Sequence, residues 1–579
     1  MFNNNLKTTL LIVLLAIQPT ISFGKSTSKA NIIPGNADLL ANIYELVDHR
    51  KLDIEIFKRA LNSEQSKLII ATLQGLGRIG GDAILPLIKP HFLSKQPEIR
   101  RAAVFAAGLS SSNSITKQLW LLLNNEKSEQ VKQEIYLALG NLGDDDLVNK
   151  MLARLNQETD PKTRGSIFQG LAAAITYIES VSDQIGTDKN STNVDFNALL
   201  TLFEKDDYVA FRVGYFLARV KNIENLLNPA QLQKFTTLTK DPDNKRMLAR
   251  LIGRITKNPN LADRALLSWL IEQSESEDLA LASESIFAMS NLLYIPQAKI
   301  QLGKLHIHNN PLIAQTALQV LADSSLDGVE IISLLKKQLK SPKASMVVAA
   351  MSGLVDRQKQ DEMSWAVKIL AHKNPFVKIR FAKKIAEKDL SGFKTVLGFL
   401  AKDPDPSVAK FATSLIDPTS VTVTSKKAKT PLFSLAKESI GKIILLRTSA
   451  GDIKLQITPQ ALYTGANFVR LVEKGYYNRT YFSRMLGNFV AQGGDSVGDV
   501  EGGSGEMIRE EISYQSHTKG TVGIATSGKD TGDAQIFVNI SDNIHLDRHY
   551  STFAKVIEGM EVVHTLSNGD QIIEAKLVD

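Results

Sequence analysis

The feature that most constrains this chain is a repeat of 31 or 32 residues in its N-terminal part. Apolar segments rich in Ala, Leu and Gly recur there, and their first residues are Leu68, Ile99, Val131, Thr163, Ile313, Val377 and Val408. Proline, which the first turn of a helix tolerates, stands shortly before many of the predicted helices, at Pro97, Pro161, Pro311, Pro342, Pro375 and Pro406. Small residues inside apolar helices at this period predict stacked helix pairs, which bury their apolar stripes only against one another.

Each repeat begins with Pro or Asp, carries Arg or Lys near the second turn and continues with an Ala- and Leu-rich stripe. This pattern resembles HEAT repeats, and the resemblance implies an all-α solenoid of HEAT-like helix pairs over 36–417. It is weaker between about Asp183 and Asn310, and Asp183–Asn193 is predicted to be an exposed excursion. The pattern indicates a fold and no chemistry, but a face of such a stack is expected to bind a protein client or partner.

Composition and isolated motifs exclude several classes of function. The chain has no cysteine, which removes disulfides, thiolate nucleophiles and Cys-ligated zinc. Its net charge of +7 is spread over 579 residues without a run of five like charges, so no nucleic-acid binding is expected. The pairs His306/His308 and His545/His549 lack a completing carboxylate cluster, and no metal or other cofactor is predicted. The G-x-G-x-x-G match ending at Gly80 is interpreted as repeat glycine, with Gly77 at a helix C-terminus, and not as a dinucleotide site.

The N-terminus resembles a secretory signal peptide. Lys7 is followed by the short apolar run Leu10–Ile17 and by small residues up to Gly24, after which cleavage is predicted. The apolar run is too short to span a bilayer, no later segment is a transmembrane candidate, and a buried N-terminal helix is the alternative. The absence of cysteine also suits an oxidising compartment. An exported protein is therefore expected, periplasmic or secreted if the host is bacterial, with residues 1–24 as the signal peptide.

The pattern changes after the repeats. Residues 418–439 are rich in Ser, Thr and Lys with two prolines and are predicted to be a linker. From Ile440 the apolar period switches from 3.6 to 2, which predicts short strands and two helices, Thr464–Gly475 and Met560–Leu566. The predicted strands are a hairpin from Ile443 to Ile457, then Tyr481–Leu486, Phe489–Gln492, Thr521–Ala525, Ile536–Ile540 and Thr552–Ile557. Residues 440–579 are therefore expected to form a closed or nearly closed β-barrel.

One arginine, Arg484, falls within an apolar strand pattern, which is unusual unless the side chain is paired or functional. An ion pair is the alternative explanation. The surrounding stretch Tyr481–Asp495, YFSRMLGNFVAQGGD, resembles the signature of the cyclophilins, a family of peptidyl-prolyl isomerases. Further matches in chain order include Gly520–Ala525, Gln535–Phe537 and Glu558–Val563, so that the resemblance spans essentially 440–579. It implies a cyclophilin-like closed β-barrel with two helices, joined to the solenoid in one multidomain chain.

The resemblance also implies a role for each site residue. Arg484 would be the catalytic guanidinium donor, and Gln492 would hold the substrate backbone. The proline pocket would be lined by Phe489, Val490, Phe537 and Leu546, and the adjoining groove by Ala525, Thr526 and Gln535. His545 and Tyr550 would also contact substrate, at positions where many eukaryotic cyclophilins carry Trp and His. Strand alternation alone would put Phe489 and Gln492 on opposite faces; only the resemblance puts them at one site.

Several residues depart from the family pattern: Val490 for a common Met, Ser483 for His, Gly487 for Pro, Ala534 for Ser and Thr526 for Asn or Arg. The Arg, Phe, Gln and Phe at the centre of the pattern remain. We therefore predict a peptidyl-prolyl cis/trans isomerase that acts on proline-containing clients among exported proteins, with the linker letting the barrel sample prolines on the solenoid. The alternative is a catalytically weak or inactive peptide-binding scaffold.

Overall fold

A computed structural model describes residues 36–144, 146–178, 196–204, 206–326, 328–357, 364–388, 391–420, 426–499 and 501–578. The predicted signal peptide, residues 1–24, and the predicted excursion Asp183–Asn193 lie outside the described residues. Within these ranges, no helix has the length and apolar character needed to cross a bilayer.

In the described residues, the N-terminal part is built of helices and their connections, as the repeat period predicts. Its helices are, in chain order, Asn36–Asp48, Ile54–Leu61, Ser66–Ile79, Leu85–Ile88, Pro97–Leu109, Thr116–Asn125, Glu129–Leu142, Leu147–Arg154, Pro161–Tyr177, Phe196–Leu200, Asp207–Leu217, Pro229–Leu238, Pro242–Ile255, Arg264–Gln273, Leu279–Ala288, Pro296–Leu305, Pro311–Asp323, Val329–Gln338, Ala344–Asp356, Ala366–Leu370, Pro375–Glu387, Ser391–Leu400 and Pro406–Ile416. Several begin at a proline that the sequence marked, where the missing N–H costs no helical hydrogen bond.

One row of helices runs through the whole stack, and we call it the inner row. Each member packs against the next, and their first residues are Asn36, Ser66, Pro97, Glu129, Pro161, Asp207, Pro242, Leu279, Pro311, Ala344, Pro375 and Pro406. The recurring glycines allow this close approach: a Cβ on Gly108 would lie 2.9 Å from the Cα of Ala138. Gly77 allows the same close approach, because a Cβ added there would lie 2.8 Å from the Cα of Ala106. Its predicted role at a helix C-terminus was wrong, because the helix continues to Ile79 and Gly80, at φ 76°, is the C-cap.

The C-terminal part is an antiparallel barrel. Its strands are β2 (Ile443–Thr448), β3 (Gly451–Ile457), β4 (Tyr481–Met485), β5 (Val490–Asp495), β7 (Thr521–Ile524), β8 (Ile536–Asn539), β9 (Thr552–Glu558) and β10 (Ile572–Val578), in the order β10-β2-β3-β9-β7-β8-β5-β4. Backbone hydrogen bonds of 2.8 Å, from Phe482 to Asp570 and from Ile572 to Thr480, join the two edges. Two helices, Leu462–Glu473 and Met560–Val563, accompany the sheet. The predicted barrel with two helices is confirmed.

The segment predicted as a linker is described at residues 418–420, which form a short 3-10 helix, and from residue 426 onward, where it is also structured. Strand β1 (Lys426–Lys427) pairs in parallel with the short strand β6 (Glu506–Met507) of the barrel part. The helix Phe433–Lys437 follows, and its Phe433 ring lies 5.0 Å from that of Tyr44 in the first helix of the solenoid. The segment that follows the helical stack therefore returns to the first helix of the stack.

The barrel is docked on the inner row along almost its entire length. The side-chain contacts include Arg50 with Asp530, Glu134 with Arg548, Arg246 with Ser541, Gln315 with the Met485 carbonyl oxygen and Lys383 with the Asp499 carbonyl oxygen. The sequence led us to expect that the barrel samples clients held by the solenoid. The face formed by the inner row is instead occupied by the barrel itself, because its polar and aromatic side chains are complementary to that surface.

Candidate active site

Arg484 lies on the exposed side of β4, directly opposite Gln492 in the register of β4 with β5. Its Nη1 is 3.4 Å from Oε1 of Gln492, and its guanidinium carbon is 5.4 Å from the centroid of the Phe489 ring. Within the described part of the chain, no carboxylate pairs with Arg484, so the ion-pair explanation does not hold. Desolvation by the surrounding site lowers the pKa of Arg484 and the nearby Tyr550 opposes that shift, but a guanidinium remains charged at neutral pH.

A chain of side-chain hydrogen bonds fixes the orientation of Gln492. Its Nε2 donates to Oε1 of Gln535 at 2.9 Å, and Nε2 of Gln535 donates to the carbonyl oxygen of Gly502 at 2.8 Å. Because the amide nitrogen of Gln492 is engaged in this way, its oxygen faces Arg484. Gln535 lies on the loop side of β8, so the chain connects the strand pair β4–β5 to the neighbouring groove.

An apolar pocket lies beside these polar groups. Val490, Phe537 and Leu546 form its buried floor, and Phe489, Ala525 and Tyr550 surround it as partly buried walls. The Tyr550 ring stands edge-on to that of Phe537, with ring centroids 6.0 Å apart. Thr526, the remaining groove residue that the sequence indicated, follows Ala525 and is half-buried. An apolar cluster of this kind is suited to contact a small aliphatic ring.

Phe489 and Gln492 both contact Arg484, although strand alternation would separate them. The reason is local: β5 begins at Val490, and Phe489 lies in the tight turn that joins β4 to β5. Its backbone N–H donates to the carbonyl oxygen of Leu486 at 2.9 Å. The period-2 rule therefore does not apply to Phe489, and the turn places its ring on the same side as the Gln492 amide.

Two residues behind the pocket received no role in the sequence analysis. The buried His517 ring stacks on Phe537 with centroids 5.7 Å apart, and burial lowers the pKa of His517, so the ring is neutral at pH 7. Gly523 lies on the other side, where an added Cβ would be 2.3 Å from the Phe537 ring. Nothing in the sequence pattern marks His517, whereas a glycine inside an apolar strand is a known sign of close approach.

His545 is the wall between the pocket and the solenoid. Its ring stacks on Phe489 at 5.1 Å and on Tyr215 of the inner row at 5.8 Å. Burial, reinforced by Arg219 and Arg250, lowers the pKa of His545 to about 2, so the ring stays neutral. The ring of His549, the other histidine of that sequence pair, lies 3.8 Å from the ring of Tyr177.

Comparisons with known proteins match the same two parts of the chain. The family model described as cyclophilin type peptidyl-prolyl cis-trans isomerase matches residues 443–577, and the model for HEAT repeats matches residues 90–172. A peptidyl-prolyl cis-trans isomerase of Helicobacter pylori is 35% identical over 153 residues, which are 25% of this chain and 91% of that protein. One from Synechococcus elongatus is 38% identical over 137 residues, 23% of this chain and 94% of that protein. The chain belongs to the cyclophilin-type peptidyl-prolyl cis-trans isomerases. A solved structure, cyclophilin AquaCyp293 from Hirschia baltica, is 20% identical with a TM-score of 0.23, and covers 24% of this chain and 73% of its own.

Docking on the HEAT-type solenoid accounts for two departures of this cyclophilin domain from the pattern of its family. At Gly487 an added Cβ would lie 2.1 Å from Oγ of Ser283 on the helix Leu279–Ala288, so a proline ring has no room there. At His545 the Tyr215 ring occupies the space beyond the imidazole. Ser483 is buried in the barrel, and nothing in the structure explains why serine stands at that position.

Proposed function

We propose that this cyclophilin accelerates rotation about X–Pro bonds through Arg484, with the apolar pocket of Val490, Phe537 and Leu546 holding the proline ring. The observation that supports the proposal most directly is the placement of an exposed guanidinium without a carboxylate partner, in the described part of the chain, beside that pocket. The role of each residue follows from the chemistry of the reaction.

Resonance gives the amide a rotation barrier of about 18–20 kcal/mol. Twisting the bond localises the lone pair on the prolyl nitrogen, and a donor aimed at this nitrogen stabilises the twisted state more than the planar one. Arg484 is charged at any working pH and needs no proton transfer. A reduction of the barrier by ~7 kcal/mol would correspond to roughly a 10⁵-fold acceleration.

The pocket and Gln492 support the same step in different ways. The apolar floor binds the ring and excludes water, which would otherwise stabilise the planar and more polar amide. Gln492, held by Gln535, keeps its amide oxygen next to Arg484 and thereby restricts the guanidinium to one region of the site. Restricting a donor in advance reduces the reorganisation needed when the bond rotates.

The test is the rate of isomerisation of a proline peptide, measured by NMR exchange or by a protease-coupled assay. Arg484→Ala is expected to lower kcat/KM at least about 100-fold, the usual cost of one removed donor in an active site. Arg447→Ala is the matched control, because Arg447 is also an exposed arginine on a barrel strand but pairs with Glu574. Equal rates for Arg484→Ala and the control would contradict the assignment.

The alternative of a peptide-binding scaffold without useful catalysis makes a different prediction. Peptide would then shift the NMR signals of the domain while its cis and trans forms exchange no faster than in free solution. Phe537→Ala tests whether peptide binding and catalysis use the same site. If they do, loss of the pocket floor should weaken the binding and lower the rate together.

We also propose that the protein is exported and that its clients are exported proteins. The proposal is supported by the signal-like residues 1–24 and by the absence of cysteine. Slow prolyl isomerisation limits the folding of many proteins, which gives an isomerase a use in that compartment. Expression in a bacterium with and without residues 1–24, followed by osmotic shock, tests this: only the full chain should appear in the released fraction, shortened after Gly24.

A further inference from the structure

Solenoid side chains reach the edge of the proline pocket. The Tyr215 ring, on the helix Asp207–Leu217 and only 2% exposed, stacks on His545, which stacks in turn on Phe489. Three rings thus form a continuous row from the pocket wall to the solenoid. The distances between successive ring centroids are 5.8 and 5.1 Å, and together they equal the length of about three residues of extended peptide.

A solvent-exposed residue of the solenoid, Tyr177, lies next to this row and is the last residue of the helix Pro161–Tyr177. Tyr177 is 47% exposed, its hydroxyl donates to the carbonyl oxygen of His545 at 3.2 Å, and its ring lies 3.8 Å from that of His549. Burial, with a contribution from the pocket residue Tyr550, raises the pKa of Tyr177 to about 12. The solenoid therefore supplies part of the surface next to the pocket.

Arg219 adds a positive charge to this surface. Its guanidinium carbon lies 3.5 Å from the centroid of the Tyr215 ring, and the group donates to the Tyr215 carbonyl oxygen at 3.0 Å and to the Tyr215 hydroxyl. Two neighbouring arginines have carboxylate partners: Arg250 pairs with Glu284 and Arg246 with Asp243.

Arg219 differs from these neighbours. Across the residues that the structure describes, no carboxylate pairs with it, although the side chain is largely buried. Burial lowers the pKa of Arg219 to about 10, so it is still a cation at neutral pH. A partly desolvated cation without a counter-ion is unfavourable, and an incoming anion relieves that cost.

We propose that Tyr177 and Arg219, with the buried Tyr215 ring supporting Arg219, extend the substrate groove beyond the barrel, and that Arg219 binds the carboxylate of an Asp or Glu about three residues from the isomerised proline. Arginine suits this role because its planar fork matches the two oxygens of a carboxylate. This proposal rests on the proposed active site in one respect: the pocket fixes the position of the proline. It makes the solenoid a determinant of substrate specificity, in place of a separate client carrier.

The test compares pairs of peptides that share one X–Pro bond and differ only by Glu or Gln, placed in turn at each of the four positions on either side of the proline. For the full chain at low ionic strength, the Glu peptide should have a kcat/KM about tenfold higher than the Gln peptide. This difference should appear only when the varied residue is at one or two positions about three residues from the proline. The preference should shrink in 0.5 M NaCl because salt screens the interaction. Arg219→Gln should bring the Glu/Gln ratio to about one.

The Glu/Gln ratio is an internal control for each variant, because a folding defect lowers the rates of both peptides and leaves their ratio unchanged. Arg254→Gln is the matched substitution: Arg254 is a nearby solenoid arginine whose guanidinium donates to the Val220 carbonyl oxygen, and the Glu preference should persist there. Arg219→Glu should reverse the order, with a Lys peptide now preferred over the Glu peptide.

Equal rates for Glu and Gln peptides with the unmodified protein, or a preference that survives Arg219→Gln, would overturn the proposal. Loss of the Glu preference in Arg254→Gln would also overturn the proposal, because the general positive charge of this surface would then explain the preference without Arg219. Titrating the same peptides by NMR separates this proposal from the catalytic one. If Arg484→Ala kept its rate, the role of Arg484 would fail, while the Glu/Gln ratio of binding affinities would still test Arg219.

Discussion

Replacing Gly487 with alanine should destabilise the docking of the barrel on the solenoid. The added Cβ would lie 2.1 Å from Oγ and 2.9 Å from Cβ of Ser283, which is fully buried on the helix Leu279–Ala288. Rotation of the Ser283 side chain can relieve the first contact but not the second. The next residue, Asn488, donates to Glu284 on the same helix at 2.9 Å and limits how far the turn can move away.

The expected cost follows from this geometry. Overpacking of one methyl group costs about 1–3 kcal/mol, and a contact with a short side chain on a helix belongs near the middle of that range. Ser283→Gly removes both clashing atoms, although glycine inside a helix itself costs about 0.5–1 kcal/mol. In the double variant most of the strain should disappear, giving a coupling free energy of about 1–2 kcal/mol between the two positions.

Urea denaturation of the four proteins in this cycle provides the measurement. All three tryptophans, Trp120, Trp269 and Trp365, lie in the solenoid, so their fluorescence reports its unfolding, and isomerase activity reports the barrel. Gly303→Ala is the control: no atom lies within 4 Å of its added Cβ, and alanine should stabilise its helix slightly. Unchanged stability of Gly487→Ala, or additivity of the two substitutions within about 0.5 kcal/mol, would refute the docking geometry.

Two further predictions concern the same interface. Arg246, 1% exposed, donates to the Ser541 hydroxyl and the Asp542 carbonyl oxygen at 3.1 Å each, so Arg246→Ala should cost about 2–3 kcal/mol of unfolding free energy in urea; a loss below about 1 kcal/mol would contradict this. Burial and the neighbouring Asp530 raise the pKa of Glu510 to about 7. The folded state therefore binds the Glu510 proton more tightly than the unfolded state does, and the free energy of unfolding should fall as the pH rises from about 4.5 to 7. Glu510→Gln should flatten the pH profile of the midpoint of urea denaturation over that window, and an unchanged profile would show that another group is responsible.

Much of the fold could be predicted from sequence because its signals are local. Helix stacking follows from the period of Ala and Gly, and the barrel from the switch to period 2; strand β8, predicted as Ile536–Ile540, is observed as Ile536–Asn539. The site residues came from a family resemblance, and the structure brings Arg484, Gln492 and the pocket together. Gly77 was misjudged because a glycine near a helix end and one at a helix crossing look alike in sequence.

By itself, the sequence determined two folding units and the chemical groups available to them, since periodicity and motif order act over tens of residues. Only the tertiary structure decided that the barrel is seated on the inner row, through contacts such as Arg50 with Asp530, which are 480 residues apart. An arginine such as Arg219 has the same local pattern as any other helical arginine. Its lack of a counter-ion and its place beside His545 arise only when two distant surfaces meet, because charge pairing and ring stacking depend on distance in space and not along the chain.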